Sequence, residues 1–172
     1  PPSAEPETPT EPEVEEPEPV FDSNKIVRNR FIIRDHGMFI DGNGSLWTFG
    51  AGNNGRLGTG DDSKRSAPTK VVDEGVASVA NFSWGSFFIK EDGSLWSMGS
   101  NQYGRIGHPS INATFKTPVQ VIESGVYQVA AGQWHHLVLK FDGSLWAMGR
   151  NNAGQLGDGT TQDRHSYIKI FD

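Results

Sequence analysis

The stretch Asp142-Gly143-Ser144-Leu145-Trp146-Ala147-Met148-Gly149-Arg150-Asn151-Asn152-Ala153-Gly154-Gln155-Leu156-Gly157 decides the fold, because the chain contains it three times. Gly143–Gly149 answers to Gly93-Ser94-Leu95-Trp96-Ser97-Met98-Gly99 and to Gly44-Ser45-Leu46-Trp47-Thr48-Phe49-Gly50, with Trp-to-Trp spacings of 49 and 50. Downstream, Gly154-Gln155-Leu156-Gly157 answers to Gly104-Arg105-Ile106-Gly107 and Gly55-Arg56-Leu57-Gly58. Then come Ala67–Val71, Thr117–Val121 and Ser166–Ile170 in the same order. Self-similarity at a fixed period marks an architecture built from one repeated unit.

Each unit reads as β. Asn43, Asp92 and Asp142 stand before the first glycine of the motif, and Asn-Gly or Asp-Gly predicts a two-residue hairpin with positive φ at both central positions. The flanks, Met38–Ile40, Phe87–Ile89 and Leu137–Leu139, are apolar runs and not alternations, which argues for strands buried on both faces. A further strand precedes each hairpin at Val76–Ala80 and Val126–Ala131, with a weaker counterpart over Ile26–Ile33. The Pro-Thr-Lys-Val type of segment supplies a fourth. No 3.6-residue period is sustained, and the glycine content argues against helices. Four short strands per unit predict an all-β fold of β-propeller blades stacked face to face, with repeats over 24–73, 74–123 and 124–172. Trp47, Trp96 and Trp146 are then expected in the core between adjacent blades, with carbohydrate stacking as the lesser reading.

Composition divides the chain. Its 172 residues carry a formal charge of −6, yet residues 1–20 hold seven Glu, seven of the ten Pro and no basic residue. That stretch contributes −7 and leaves +1 for residues 21–172. Residues 1–20 read as an extended, disordered Pro/Glu-rich linker with polyproline character, and residues 21–172 as one domain with a real core. The absence of cysteine excludes a disulfide framework and thiolate-held zinc. No apolar run is long enough for a membrane-spanning helix, and the near-neutral domain lacks the basic stripe of a nucleic-acid binder. A start at Pro-Pro, without Met or signal peptide, reads as a cut from a longer or processed precursor.

Several apparent chemical motifs dissolve on comparison of the repeats. Gly50-Ala51-Gly52-Asn53-Asn54-Gly55 matches a dinucleotide fingerprint, but its middle glycine becomes Asn101 and Asn151 in the other units and no helix is expected after it. Asp158-Gly159-Thr160 lies among too few carboxylates for a calcium site. His135 and His136 are neighbours on a strand, so they point to opposite faces and do not share a metal. His36 aligns with His135, which reads as blade packing. Asp92 and Asp142 are hairpin residues, and no nucleophile, base or paired carboxylate is picked out. The expectation is no enzyme, no cofactor and no metal.

The variable positions are the turns between the first and second strands: Arg34-Asp35, Ser83-Trp84 and Gln133-Trp134. These six residues are the partner-binding candidates, since Trp and Arg dominate protein-binding hot spots. Packing of Trp84 and Trp134 against neighbouring turns is the open alternative. Arg56 and Arg105 are expected to hold their glycine-rich loops through backbone hydrogen bonds, with rim contact as the lesser option. The acceptor patterns Asn43-Gly44-Ser45, Asn81-Phe82-Ser83 and Asn112-Ala113-Thr114 are weak signs of glycosylation, because the repeat itself places Asn43 and Asn81 in turns.

Asp-Gly-Ser-Leu-Trp followed by Gly-x-Asn-x-x-Gly-Arg/Gln-Leu/Ile-Gly resembles the regulator of chromosome condensation repeat, as does Val129-Ala130-Ala131-Gly132 followed by His135. The likeness covers residues 24–172. It implies blades of a seven-bladed ring, so three units read as an incomplete ring: part of a longer array, or one closed by self-association or by a partner chain. Arg28-Asn29-Arg30 departs from the pattern at the place of Tyr127-Gln128-Val129, as a capping repeat would. Among similar proteins, a rim of this kind clamps a β-lactamase in secreted bacterial members and engages a small GTPase in nuclear ones. The resemblance therefore implies a non-enzymatic protein–protein interaction module with a protein partner. A guanine-nucleotide exchange factor for a small GTPase is the alternative, although no unit holds an inserted wedge loop. A purely structural module is a third reading. The linker tilts the expected location to a bacterial surface or secreted protein, with cytoplasm and nucleus left open.

Overall fold

The hairpins close over three residues in place of the expected two. In the computed structural model, which describes residues 29–172, Lys90 N–H donates to the Ser94 carbonyl and Gly93 N–H to the Lys90 carbonyl, each at 3.0 Å. Gly93 alone turns left-handed, at φ 79°; Asp92 does not. This is a type I turn followed by a left-handed glycine. Asp92 is drawn into it because its carboxylate accepts from both Ser94 N–H (2.8 Å) and Ser94 Oγ (2.6 Å). Ser94 Oγ in turn accepts the Trp96 indole N–H at 2.9 Å. Asp142, Ser144 and Trp146 repeat the chain of bonds. In the first unit Asp41 substitutes, accepting from Trp47 Nε1 at 2.8 Å and from the N–H groups of Ser45 and Asn43. Those bonds, Trp47's foremost, hold the Asp41 carboxyl down at about 2.

Around these hairpins stand three four-stranded antiparallel sheets, each in sequence order. The first comprises β1 (Phe31–Ile33), β2 (His36–Ile40), β3 (Leu46–Gly50) and β4 (Arg65–Val72). The second comprises β5 (Val76–Phe82), β6 (Gly85–Lys90), β7 (Leu95–Ser100) and β8 (Thr114–Ile122). The third comprises β9 (Val126–Ala131), β10 (His135–Lys140), β11 (Leu145–Gly149) and β12 (Arg164–Phe171). The fold is all-β and its sheets are propeller blades. The fourth strands run longer than the sequence patterns indicate, because bulges let them follow their neighbours past the motif. Of the weak strand expected over 26–33, the structure shows Phe31–Ile33; residues 26–28 and the 1–20 segment lie outside the described residues.

The blades pack with their first strands together. β5 touches both β1 and β9, and Val79 N–H donates to the Asn29 carbonyl at 2.9 Å. One core lies between the first two blades, from Met38, Ile40 and Leu46 across to Val79, Phe88 and Met98. The other joins Phe82, Phe87, Ile89 and Leu95 to Val126, Val129 and Val138. Phe87 and Phe88 thus serve opposite cores, which is why β6 is apolar without alternation. Full burial of such rings contributes about 1.5–3 kcal/mol each.

The tryptophan series is placed differently from the expectation. Trp96 and Trp146 are half-buried at the margins of the cores, not central to them, and Trp47, also half-buried, stacks on Phe39 instead. Each indole N–H is tied to a surface hairpin, so its ring cannot sink further. Leu46 and Leu95 beside them are fully buried instead. Lys70 (5.2 Å), Lys90 (5.1 Å) and Lys140 (4.7 Å) each set an ammonium group over one of these indoles.

Between third and fourth strands run loops 51–64, 101–113 and 150–163. The first reaches sideways: Gly60 N–H donates to the Lys116 carbonyl of β8 at 2.8 Å, and Lys116 Nζ meets Asp62 at 2.5 Å. Asn101 and Asn151, both fully buried, brace the later loops from within by donating to their carbonyls. Gly52 stands at the same point in the first loop because Ser63 O would lie 2.0 Å from any Cβ there.

Candidate functional site

Three turns share the rim on which the long loops also lie. Arg34-Asp35, Ser83-Trp84 and Gln133-Trp134 join first to second strand in each blade. Their main chains are clamped: Ala51 N–H donates to the Asp35 carbonyl (3.3 Å), Ser100 N–H to Trp84 (3.0 Å) and Arg150 N–H to Trp134 (2.9 Å). The approach is close enough to require glycine on the facing strand. Gly99 has φ 116°, and a Cβ there would meet the Trp84 carbonyl oxygen at 2.5 Å. Arg34, Asp35 and Gln133 are exposed; Ser83, Trp84 and Trp134 are half-buried.

The side chains above these clamps form a ladder of arginines and aromatic rings. The Arg56 guanidinium lies 5.7 Å from the Trp84 ring centre and meets Asp35 at 3.7 Å. Arg105 lies 5.5 Å from Trp84 and 4.6 Å from Trp134, so it is shared by two turns. Trp134 meets Tyr103 edge to face at 5.6 Å, and Arg150 caps Tyr103 at 5.6 Å. The packing reading of the tryptophans is met in part, since each ring is packed on arginine while remaining partly open. Cation–π contacts of this kind contribute from about 0.5 to 2 kcal/mol, rising with desolvation.

Arg56 and Arg105 also hold their loops, as expected. Arg56 Nε donates to the Asn53 carbonyl and Arg105 Nε to the Ser100 carbonyl, each at 2.9 Å. Arg105 is 2% exposed, and burial lowers it to about 10. Its Nη1 and the Trp84 Nε1 are buried donors without an acceptor. Burial lowers Arg56 too, against the opposing pull of Asp35. Tyr103 and Arg150 were not among the sequence candidates. A signal was present: Arg56 precedes Trp84 by 28 residues and Arg105 precedes Trp134 by 29, so each loop arginine meets the turn of the next repeat.

The other candidate groups are structural. The glycines of 50–55 lead into a three-residue 3₁₀ turn, Asn53–Gly55, which is too short to present a helix terminus to a phosphate. His36 Nε2 lies 2.7 Å from Ser86 Oγ, and that hydroxyl donates to the Arg56 carbonyl at 2.8 Å, so the ring donates. Burial, helped by Arg56 and opposed by Asp35, lowers His36 to about 4. His136, equally buried, lies 2.8 Å from the Tyr167 hydroxyl and is lowered to about 3 by burial, against the Arg105 carbonyl. His135 points the other way, over Gly132. No cluster of three His, Asp or Glu side chains is arranged for a metal among the described residues. Asn81 is buried and donates to the His36 carbonyl at 3.0 Å, which removes it as a sugar acceptor. A groove of about 430 Å³ beside Val72, Phe88 and Trp96 is an open seam between the first two blades near the opposite rim.

Comparisons with known proteins agree with this architecture. The profile of the Regulator of chromosome condensation (RCC1) repeat matches residues 43–88 and 92–139, and a second profile of the same repeat matches 126–155. No curated protein matches the sequence. Among solved structures, human WBSCR16 is 23% identical with a TM-score of 0.68, covering 82% of this chain and 38% of that one. Prp20p from Saccharomyces cerevisiae, described with its binding properties to Gsp1p and histones, is 18% identical with a TM-score of 0.72, covering 81% and 37%. Yeast RCC1 (Prp20) bound to Kap60 is 25% identical with a TM-score of 0.65, covering 79% and 34%. The chain spans less than two-fifths of the length of each of these structures.

Proposed function

The chain belongs to the regulator of chromosome condensation repeat family, and from that premise we propose that it is a non-enzymatic protein-interaction segment whose recognition surface is the rim bearing Arg34, Asp35, Ser83, Trp84, Gln133 and Trp134. The observation that carries this reading is the pair of tryptophans held half-open on Arg105, with 5.5 and 4.6 Å between guanidinium and rings. Rigid, partly exposed indoles lose little entropy on binding and bury a large area. The blades supply the frame and the turns supply variation. Two of the similar structures are described with protein partners, Gsp1p, histones and Kap60, which favours a protein as the ligand class.

A photo-cross-linking amino acid at Gln133 tests the reading against one at Asn43 on the opposite rim. Cross-links from 133 and none from 43, in a lysate of the source organism, are the expected result. Adducts from 43 alone would move recognition to the other rim. A second reading, guanine-nucleotide exchange on a small GTPase, draws on the likeness to Prp20p. The rim loops hold 14, 13 and 14 residues, so none carries an inserted wedge. Faster release of labelled GDP from a small GTPase would favour exchange.

A further inference from the structure

The rim keeps its acids occupied and leaves three of its arginines without an ion pair. Asp61 is bound by Arg65 at 2.9 Å, Asp62 by Lys116 at 2.5 Å and Asp158 by Arg164 at 2.5 Å, all toward the outer strands. Asp163 accepts the Asn151 N–H at 2.7 Å, and Asp35 faces Arg56. Among the described residues, Arg34, Arg105 and Arg150 take part in no ion pair. Arg105 is the unusual one: a guanidinium 2% exposed, 5.5 Å from the Trp84 ring centre and 4.6 Å from that of Trp134, with its Nη1 and the Trp84 Nε1 both unbonded. A buried cation without a counter-ion is costly, and its field is weakly screened.

Resting on the rim reading above, we propose that the partner presents an acidic polypeptide segment, whose carboxylates face Arg34 and Arg150 while its apolar groups cover Trp84 and Trp134. Arg105 is a positioning residue in this arrangement. It fixes the two indoles side by side, and its unmatched charge beneath them selects a negative segment over a neutral one. Electrostatic complementarity of this sort acts on association rate and partner choice and weakens with salt. Planar arginine forks at the ends of the ladder suit carboxylates in particular.

The test is fluorescence anisotropy of the full chain with a labelled Glu/Phe peptide, the same peptide with every Glu replaced by Gln, and a Lys counterpart. The Glu peptide is expected to bind about tenfold more tightly than the Gln peptide, a difference of about 1.4 kcal/mol. That preference should shrink between about 0.01 and 0.1 M salt, as the screening length falls from about 30 to about 10 Å. Arg34→Ser, at an exposed side chain, should weaken the Glu peptide alone, with an unchanged urea midpoint. Arg105→Gln, the residue its third counterpart Gln155 already carries, should lower the Glu/Gln preference more than Arg105→Lys does.

Equal binding of Glu and Gln peptides overturns the acidic preference and leaves the rim reading intact. Glu-peptide binding that survives both Trp84→Ala and Trp134→Ala overturns the two together, since it lies on another surface. The chain's own residues 1–20 carry seven Glu. Binding that appears only after those seven are changed to Gln in the full chain would assign the platform to that segment and overturn an external partner.

Discussion

Acid should unfold this protein by loading protons onto its buried histidines. His36 and His136 are both fully buried, and burial lowers them from 6.5 to about 4 and about 3. In the unfolded chain both return to the ordinary value, so below that value the unfolded state holds protons that the folded state refuses. Stability then rises with pH and is lost as pH falls from about 6.5 toward the folded values. Integrated from pH 7 to pH 5, His36 accounts for a loss of about 2 kcal/mol and His136 for about as much again, or about 4 kcal/mol together. His135, also lowered by burial, adds in the same direction. Carboxylates contribute little in this window, because Asp41, Asp61, Asp62, Asp92 and Asp142 are all lowered below 3.8 when folded. Urea titrations at pH 7, 6 and 5, followed by tryptophan fluorescence, measure the effect. His36→Gln keeps an N–H for Ser86 and should remove about half of the pH dependence. Stability flat to within about 0.5 kcal/mol over this range, or His36 and His136 ring signals titrating near 6.5, would refute the burial argument.

Four further outcomes are expected. Gly99→Ala places a Cβ 2.5 Å from the Trp84 carbonyl at φ 116°, so it should cost about 3 kcal/mol or more. Gly125→Ala, at φ 81° in open space, should cost about 1–2 kcal/mol in the same urea assay. Phe87→Ala, in a fully buried ring position, should cost about 3–5 kcal/mol. Leu137 occupies the matching place in the third blade, opposite Ala147 as Phe87 is opposite Ser97, yet it is half-buried. Leu137→Ala should therefore cost less than half as much, and equal losses would show that face to be covered in solution.

The blades were readable because three copies of Gly-Ser-Leu-Trp leave one consistent strand pattern, and Phe87 beside Phe88 announces two cores. The turn geometry was not, since Asn-Gly and Asp-Gly carry the same sequence signal for two-residue and three-residue hairpins. The choice fell to Asp92 and Asp142, whose carboxylates reach forward to Ser94 and Ser144. The depth of Trp96 was misjudged for a related reason: its N–H belongs to that hairpin, a tertiary tether absent from hydrophobic patterning. At the rim, all six candidate residues lie in the turns where the repeat places them, but the ladder itself was missed. Arg105 looked like a loop brace, which it is, and its second partner Trp134 belongs to the next repeat.

The main-chain clamps on the rim turns separate two inheritances. The carbonyls of Asp35, Trp84 and Trp134 are committed to Ala51, Ser100 and Arg150 whatever side chains those turns carry. The clamps therefore place no demand on side-chain identity at these turns, and only Trp84 is tied further, by its packing on the core around Phe82 and Phe87. On the rim reading proposed above, partner choice is carried by side chains that the scaffold's own hydrogen bonds do not use.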